Sequence, residues 1–104
     1  MYMKDENQPV PVSVPVDVDK TLNERGSRYG KFTGHALIAQ GIKDVMRATK
    51  NWDKLVPDQR ECLEMVAHKI GRILNGDPNY DDSWIDIAGY SKLVADRLRT
   101  GECK

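Results

Sequence analysis

The chain has 104 residues, 39% of them hydrophobic, and its 16 Lys and Arg residues balance 16 Asp and Glu residues to a formal net charge of zero. This length favours one domain, and a zero net charge provides no overall attraction to nucleic acid. The two cysteines lack a paired spacing, which argues against a disulfide scaffold. No run of about 18 apolar residues occurs, which argues against a membrane span and a secretory leader. The sequence therefore predicts a soluble, cytoplasmic protein.

The first 16 residues differ in composition from the rest of the chain. They read MYMKDENQPVPVSVPV, an alternating Pro/Val/Ser run that cannot continue a helix and favours an extended path. We interpret residues 1–16 as a flexible arm, either an ordinary disordered terminus or a segment that docks on a partner subunit. Residues 17–104 are predicted to form a single helical domain.

Two helices are predicted in the first half of this domain. Asp17 or Asp19 is suited to cap a short helix, DKTLNERG, that Gly26 ends. Residues 27–30 then form a turn rich in hydrogen-bond donors. Thr33 is expected to cap a second helix that runs to about Thr49, and the following KNWDKLVPD is expected to form a packed loop.

The third helix has the clearest boundary signals. Pro57 suits a first helical turn, and Gly76 follows the last periodic residue. At about 100° per residue, one stripe of this helix is apolar and the opposite side is polar. The stripe contains Leu63, Val66, Ile70, Ile73 and Leu74, and the opposite side contains Glu61, Glu64, His68 and Arg72.

A fourth helix is expected to start at residues 81–83 and to end at Gly101. Its apolar side consists of Trp84, Ile87, Ala88, Val94, Ala95 and Leu98. Ile85 and Leu93 add apolar surface elsewhere on this helix, which predicts a homo-oligomer. Outside the arm no segment alternates in polarity, so the predicted fold is all-α, a compact bundle of about four helices.

Acidic residues occur in two pairs. Glu61 and Glu64 are three positions apart and Asp82 and Asp86 four, so each pair lies on one face of its own helix. If the helices are adjacent, four carboxylates offer the oxygen ligands that Mg²⁺ prefers. The alternative is a pair of solvated faces, because acids near a helix start are favoured by the helix dipole.

Four single residues have structural interpretations. His68 is expected to pair with Glu64 along its helix, and His35, near a helix start, is expected to be exposed. Gly71 and Gly89 lie inside predicted helices, where Gly costs about 1 kcal/mol relative to Ala, so each indicates a close approach between helices.

The segments LNERGSRYGKF and ECLEMVAHKIGRILNGDPNYDDSWIDIAGYSKLVADRL resemble a family of small, mostly uncharacterised phage and prophage proteins, over roughly residues 20–99. That family is similar to phage nucleotide-modification-associated domains and, more distantly, to the MazG-like all-α nucleoside-triphosphate pyrophosphohydrolases. The resemblance implies Glu61, Glu64, Asp82 and Asp86 as Mg²⁺ ligands, with Glu64 and Asp86 as catalytic residues. The second pair departs from the family motif in its spacing of four and in the shorter first acid.

The predicted function is therefore a phage-encoded, Mg²⁺-dependent nucleotide-binding protein of MazG-like type in the cytoplasm of an infected or lysogenic bacterial host, with pyrophosphate hydrolysis left open. Arg28, Tyr29, Lys69 and Arg72 are the candidate ligand-binding residues, although each basic residue also suits an ion pair or a helix end. The alternative is a non-enzymatic phage accessory protein that inhibits a host defence component or sequesters a nucleotide signal. A purely structural oligomer is a third interpretation.

Overall fold

The computed structural model describes residues 17–103, and within this range it contains four α-helices, one 3-10 helix and no strand. The helices are α1 (Val18–Tyr29), α2 (Phe32–Arg47), α3 (Pro57–Asn75) and α4 (Asp82–Thr100), with the 3-10 helix at Lys50–Lys54. The predicted all-α class with four helices is confirmed. The predicted arm over residues 1–16 lies outside the described residues, and the division into arm and domain stays a prediction. No helix between residues 17 and 103 is long and apolar enough to cross a membrane.

Helix α1 is longer than predicted. Asp17 caps it as expected, because its carboxylate accepts a hydrogen bond from the Lys20 N–H. Gly26 does not end the helix, which continues to Tyr29 and stops at Gly30, whose φ is 76°. A single Gly inside a helix costs only about 1 kcal/mol, whereas the left-handed backbone at Gly30 stops it. Residues 27–29, predicted as a turn, are therefore the last turn of α1.

Helix α2 begins one residue before the predicted cap. Phe32 is already helical, so Thr33 is not the N-cap, and the residue that precedes Phe32 makes no side-chain cap bond. The following link is packed, as expected, because the Arg60 side chain donates hydrogen bonds to the carbonyl oxygens of Trp52 and Asp53. These bonds join the 3-10 helix to the start of α3.

The boundaries of the last two helices agree with the sequence signals. Helix α3 begins at Pro57 and is followed by Gly76, and α4 is followed by Gly101. Gly101 has a φ of 75°, and its N–H donates to the Arg97 carbonyl oxygen. Asp81 occupies the N-cap position of α4 but makes no side-chain cap bond there.

Helices α2, α3 and α4 lie side by side in one layer, with α3 in the centre. Arg47 at the end of α2 is bonded to Glu64 in α3, and Asp58 at the start of α3 is bonded to Arg97 near the end of α4, so neighbouring helices are antiparallel. The buried apolar core of the described residues is small and comprises Ala39, Ala67 and Ile73.

The layer has one polar and one apolar face. Glu64, His68 and Arg72 lie on the polar face, which α1 covers at one end. The opposite face, which we call the apolar face, is defined by its exposed side chains: Val45 on α2, Leu63 and Leu74 on α3, and Trp84 and Leu98 on α4. The predicted apolar stripe of α3 is thus only partly buried, since Leu63 is 41% and Leu74 67% exposed.

Candidate ligand-binding cleft

Asn75 fixes the end of α1 against the end of α3. Its side-chain Nδ2 donates hydrogen bonds to the carbonyl oxygens of Tyr29 and Lys31, each at 2.8 Å. The Asp77 N–H donates to the Arg28 carbonyl oxygen, also at 2.8 Å. These three bonds hold the last turn of α1 over the C-terminal end of α3.

Two glycines permit this close approach. A Cβ atom on Gly30 would lie 2.2 Å from the Asn75 carbonyl oxygen, and one on Gly76 would lie 2.3 Å from the Arg28 carbonyl oxygen. Gly30 also has the positive φ that side chains disfavour. Any larger residue at either position would push α1 away from α3.

A cleft of about 500 Å³ opens between the last turns of α1, the end of α3 and the start of α4. It is lined by Glu24, Arg25, Ser27, Arg28, Tyr29, Arg72, Tyr80 and Asp82, and we call it the arginine–tyrosine cleft. Three arginines face two carboxylates in this small volume, so the cleft has a local positive excess that the zero net charge of the chain does not reveal.

Two arginine–tyrosine stacks form the walls of this cleft. The Arg28 guanidinium lies 4.5 Å from the centre of the Tyr80 ring, and the Arg72 guanidinium lies 4.4 Å from the centre of the Tyr29 ring. Cation–π attraction holds each guanidinium plane while leaving its N–H edge free to donate. No carboxylate among residues 17–103 forms an ion pair with either arginine.

Tyr29 and Asp82 are joined by a hydrogen bond. The Tyr29 hydroxyl donates to Asp82 Oδ2 at 2.8 Å. Burial raises the pKa of Tyr29, and the bond to Asp82 and the negative charge of that carboxylate raise it further. Tyr29 therefore remains protonated at neutral pH, and the bond orients the ring on which Arg72 stacks.

A second pocket of about 660 Å³ adjoins the cleft and shares Arg25, Tyr29 and Arg72 with it. Its other lining residues are Leu22, Gly26, Gly30, Lys31, Phe32, Thr33, His35 and His68. We call it the histidine pocket. The Arg72–Tyr29 stack thus separates a polar cavity from one that also offers aromatic and aliphatic side chains.

The two histidines contact each other beneath this pocket. His35 is buried, contrary to prediction, with Nε2 2.9 Å from the His68 carbonyl oxygen and the rings edge to face at 4.4 Å. Burial lowers the pKa of His35, and burial followed by the neighbouring His35 lowers the pKa of His68 to about 4. Both rings are neutral at pH 7. The predicted His68–Glu64 pair is absent because Glu64 bonds to Arg47.

Three of the four predicted ligand-binding residues meet in the arginine–tyrosine cleft. Arg28 and Tyr29 reach it from α1 and Arg72 from α3. Lys69 does not reach it, because this side chain points toward α4, is buried and lies 2.8 Å from the carboxylate of Asp86.

The four predicted metal-binding carboxylates do not meet within the chain. Asp82 lies in the arginine–tyrosine cleft, whereas Asp86 is paired with a lysine of α3, Glu64 with an arginine of α2, and Glu61 lines a separate pocket between α3 and α4. Residues 17–103 contain no group of three or more His, Cys, Asp or Glu side chains arranged to hold a metal ion. The four-carboxylate geometry expected from spacing is therefore not formed, and magnesium binding itself stays a prediction.

Two important residues of the site are not among those predicted from the sequence. Tyr80 lies in the link between α3 and α4, and its contact with Arg28 spans 52 positions without any sequence signal. Asn75 is the last residue of α3, and its bonds to distant carbonyl oxygens likewise have no sequence signal. Among the predicted close approaches, Gly71 is confirmed by the 2.7 Å between a Cβ atom there and the His35 ring, whereas no neighbouring atom of residues 17–103 lies within 4 Å of a Cβ atom built at Gly89.

Comparisons with known proteins provide a family but no activity. Residues 17–98 match the family described as Domain of unknown function (DUF6378). The chain is also similar to the large ribosomal subunit protein uL30 of Aeropyrum pernix, with 32% identity over 97 residues. This match covers 88% of the chain but only 59% of the archaeal protein, so the chain spans about three fifths of that relative's length. No solved structure matches the chain.

Proposed function

The chain belongs to the DUF6378 family, whose function is unknown, and we propose that it binds a nucleotide, with the phosphates in the arginine–tyrosine cleft and the base in the histidine pocket. The observation that carries this proposal is the pair of stacked arginines, Arg28 and Arg72, which have no ion pair to a described carboxylate and stand beside an apolar pocket.

The arginine–tyrosine cleft suits phosphate groups. A guanidinium presents a planar edge of N–H donors that matches phosphate oxygens two at a time. Stacking on tyrosine fixes both guanidinium planes before the ligand arrives, which lowers the entropy cost of binding. Arg25 adds a third positive charge to the same wall.

The histidine pocket suits a nucleobase. Leu22 and Phe32 are both strongly exposed and line the pocket, and the Phe32 ring lies 5.9 Å from the ring of His35. Because both histidines are neutral at pH 7, an uncharged base that covers their rings does not have to displace water from a charged group. Each cavity falls within the range of about 300–1,000 Å³ that is usual for small-molecule sites.

We propose binding and not hydrolysis as the function of this cleft. Glu64 and Asp86, the predicted catalytic acids, are bonded to Arg47 and Lys69 outside it. Mg²⁺ commonly binds through one or two carboxylates together with substrate phosphates, and Asp82, which lines the cleft, is the carboxylate that we propose for that role. A protein that holds a nucleotide without turnover agrees with the alternative prediction of an accessory protein that sequesters a nucleotide signal. The phage origin and the host defence partner stay predictions.

Single-stranded RNA is the competing ligand. Arginine and tyrosine side chains also stack on unpaired bases in RNA, and the similar archaeal protein carries a ribosomal name. A net charge of zero favours a small ligand over a long polyanion, because affinity for a nucleic acid depends on the number of phosphates neutralised. A short RNA oligonucleotide therefore belongs in the binding experiment.

Isothermal titration with nucleoside triphosphates, with and without Mg²⁺, tests the proposal. We expect Arg28→Ala and Arg72→Ala each to weaken binding at least tenfold, about 1.4 kcal/mol. Arg99→Ala is the matched control, because that side chain is exposed near the end of α4 and is not part of the cleft. Absence of heat from every nucleotide at about 1 mM, where even weak sites are occupied, would contradict the proposal.

The same titration separates the two cavities. Inorganic tripolyphosphate should bind through the arginine–tyrosine cleft, with lower affinity than a nucleoside triphosphate. Phe32→Ala should weaken binding of the nucleotide and leave binding of tripolyphosphate unchanged, because Phe32 lines only the histidine pocket. Equal affinities for tripolyphosphate and the nucleoside triphosphate would show that the histidine pocket is not part of the site. Tighter binding of the RNA oligonucleotide than of any nucleotide would identify RNA as the ligand.

A further inference from the structure

The apolar face extends across all three helices of the layer. By helical spacing and by the ion pairs that mark the polar face, its members are Ile38, Gly41 and Val45 of α2, Leu63, Val66, Ile70 and Leu74 of α3, and Trp84, Ile87, Ser91, Ala95 and Leu98 of α4. None of them carries a charge. Soluble monomers rarely expose an uncharged apolar surface that continues across several elements.

A single layer of helices does not bury its own apolar side. Stable domains stack two layers around a core, and the described residues supply one layer, with α1 on its polar face. The small buried core of Ala39, Ala67 and Ile73 agrees with a second layer that residues 17–103 of one chain do not provide.

We propose that a second copy of this chain supplies that layer, so that two apolar faces pack against each other in a twofold-symmetric dimer. Helices α3 and α4 have 19 residues each, about 28 Å at 1.5 Å per residue, and three neighbouring helices with axes about 9 Å apart span a similar width, so this face is on the order of 800 Å². That equals the roughly 800 Å² per partner of a standard protein interface. The available area is therefore sufficient for a stable dimer.

The absence of charge favours a second copy over a different partner. In a twofold dimer the same patch meets itself, so any charge near the axis faces a like charge. An uncharged face avoids this repulsion between like charges in every relative orientation of the two copies. The arginine–tyrosine cleft lies on the opposite face of the layer, so the dimer leaves it open.

This dimer uses a different side of α4 from the one on which the sequence predicts a homo-oligomer contact. Ile85 and Leu93 lie away from the apolar face, whereas Leu98 belongs to it. Ile85 and Leu98 are 61% and 59% exposed on the same helix, which makes them a matched pair for substitution. Leu74 on α3, at 67% exposed, is a second position on the apolar face.

Sedimentation equilibrium of the full chain at concentrations from about 1 to 100 µM tests the proposal, because that range spans the dissociation constants of ordinary protein dimers. We expect twice the chain mass of 11.8 kDa. Leu98→Lys and Leu74→Lys should each raise the dissociation constant at least a hundredfold, while Ile85→Lys should leave it within a factor of about three. Far-UV circular dichroism should show unchanged helix content, since all three side chains are exposed in the monomer.

Several outcomes would overturn the proposal. A wild-type chain of monomer mass at 100 µM would do so without any variant. The apolar face would then be covered by something other than a second copy, either the valine-rich residues 1–16 or an unrelated protein. Dissociation by Ile85→Lys but not by Leu98→Lys would move the interface to the other side of α4. A larger assembly that Leu74→Lys does not reduce would also exclude this face.

Discussion

The contact between His35 and His68 makes the free energy of unfolding depend on pH. Burial and the neighbouring His35 lower the pKa of His68 in the folded chain to about 4, from 6.5. Between these two values the unfolded chain takes up the proton more readily than the folded chain. Stability should therefore be fully present above pH 6.5 and should decrease as the pH falls toward 4.

The size of this effect follows from the pKa difference. At ~1.36 kcal/mol per pKa unit, the fall from 6.5 to about 4 sets an upper limit of roughly 3 kcal/mol for His68. Because His68 is not fully buried, solvent screening reduces the expected loss to about 1–2 kcal/mol. His35, whose pKa is also lowered by burial, adds a loss in the same direction.

Urea denaturation followed by far-UV circular dichroism at about pH 7.5, 6.5 and 5 measures the dependence, with protein concentration held constant. This range lies above the pH at which carboxylates such as Asp58, whose pKa Arg97 lowers, begin to contribute. The variant His68→Gln should have a flatter profile. Stability that is constant or rises from pH 7.5 to 5, or an equally steep profile in His68→Gln, would refute the reasoning.

Three substitutions test the packing that positions the cleft. Asn75→Ala removes the two hydrogen bonds to the carbonyl oxygens of Tyr29 and Lys31 and should lower the free energy of unfolding by about 2 kcal/mol in urea denaturation. An unchanged free energy of unfolding would contradict the role of this side chain. Gly71→Ala should cost about 1–3 kcal/mol in the same assay, because its Cβ would lie 2.7 Å from the His35 ring. Its matched control Gly89→Ala should instead stabilise the chain by about 0.5–1 kcal/mol, because no neighbouring atom of the described residues lies within 4 Å of a Cβ atom there. Equal effects at the two glycines would show that α2 and α3 are less closely packed.

Helix boundaries set by local chemistry were predictable from the sequence, and those set by distant contacts were not. Pro57, Gly76 and Gly101 mark the ends of α3 and α4 through their own backbone preferences. The end of α1 is decided differently. Gly26 has the sequence signal for a stop, but the carbonyl groups that Asn75 binds belong to the next turn, so the helix continues to Gly30.

In the candidate site, too, local features were predictable from the sequence and contacts between distant residues were not. Helical spacing predicts that the two acids of each pair share one face of their own helix. It contains no information on how far α4 is rotated about α3, and that rotation directs Asp86 to a buried lysine and leaves Glu64 to an arginine of α2. The convergence of Arg28 and Tyr29 with Arg72 likewise depends on hydrogen bonds that the carbonyl oxygens of Arg28 and Tyr29 accept from the start of the α3–α4 link and from the last residue of α3, which lie far away in the sequence.

Helix α1 is the element whose position depends most on the cleft. It has no buried residue, and its described bonds to the rest of the chain are concentrated in its last turn. The stack of Arg72 on Tyr29 and the stack of Arg28 on Tyr80 therefore supply much of its attachment to α3 and to the start of α4. If an anion binds between the two guanidinium groups as proposed, it adds a further link between the same elements. The proposal therefore predicts that ligand affinity and the order of α1 are coupled, because any change that detaches α1 also separates the two arginines.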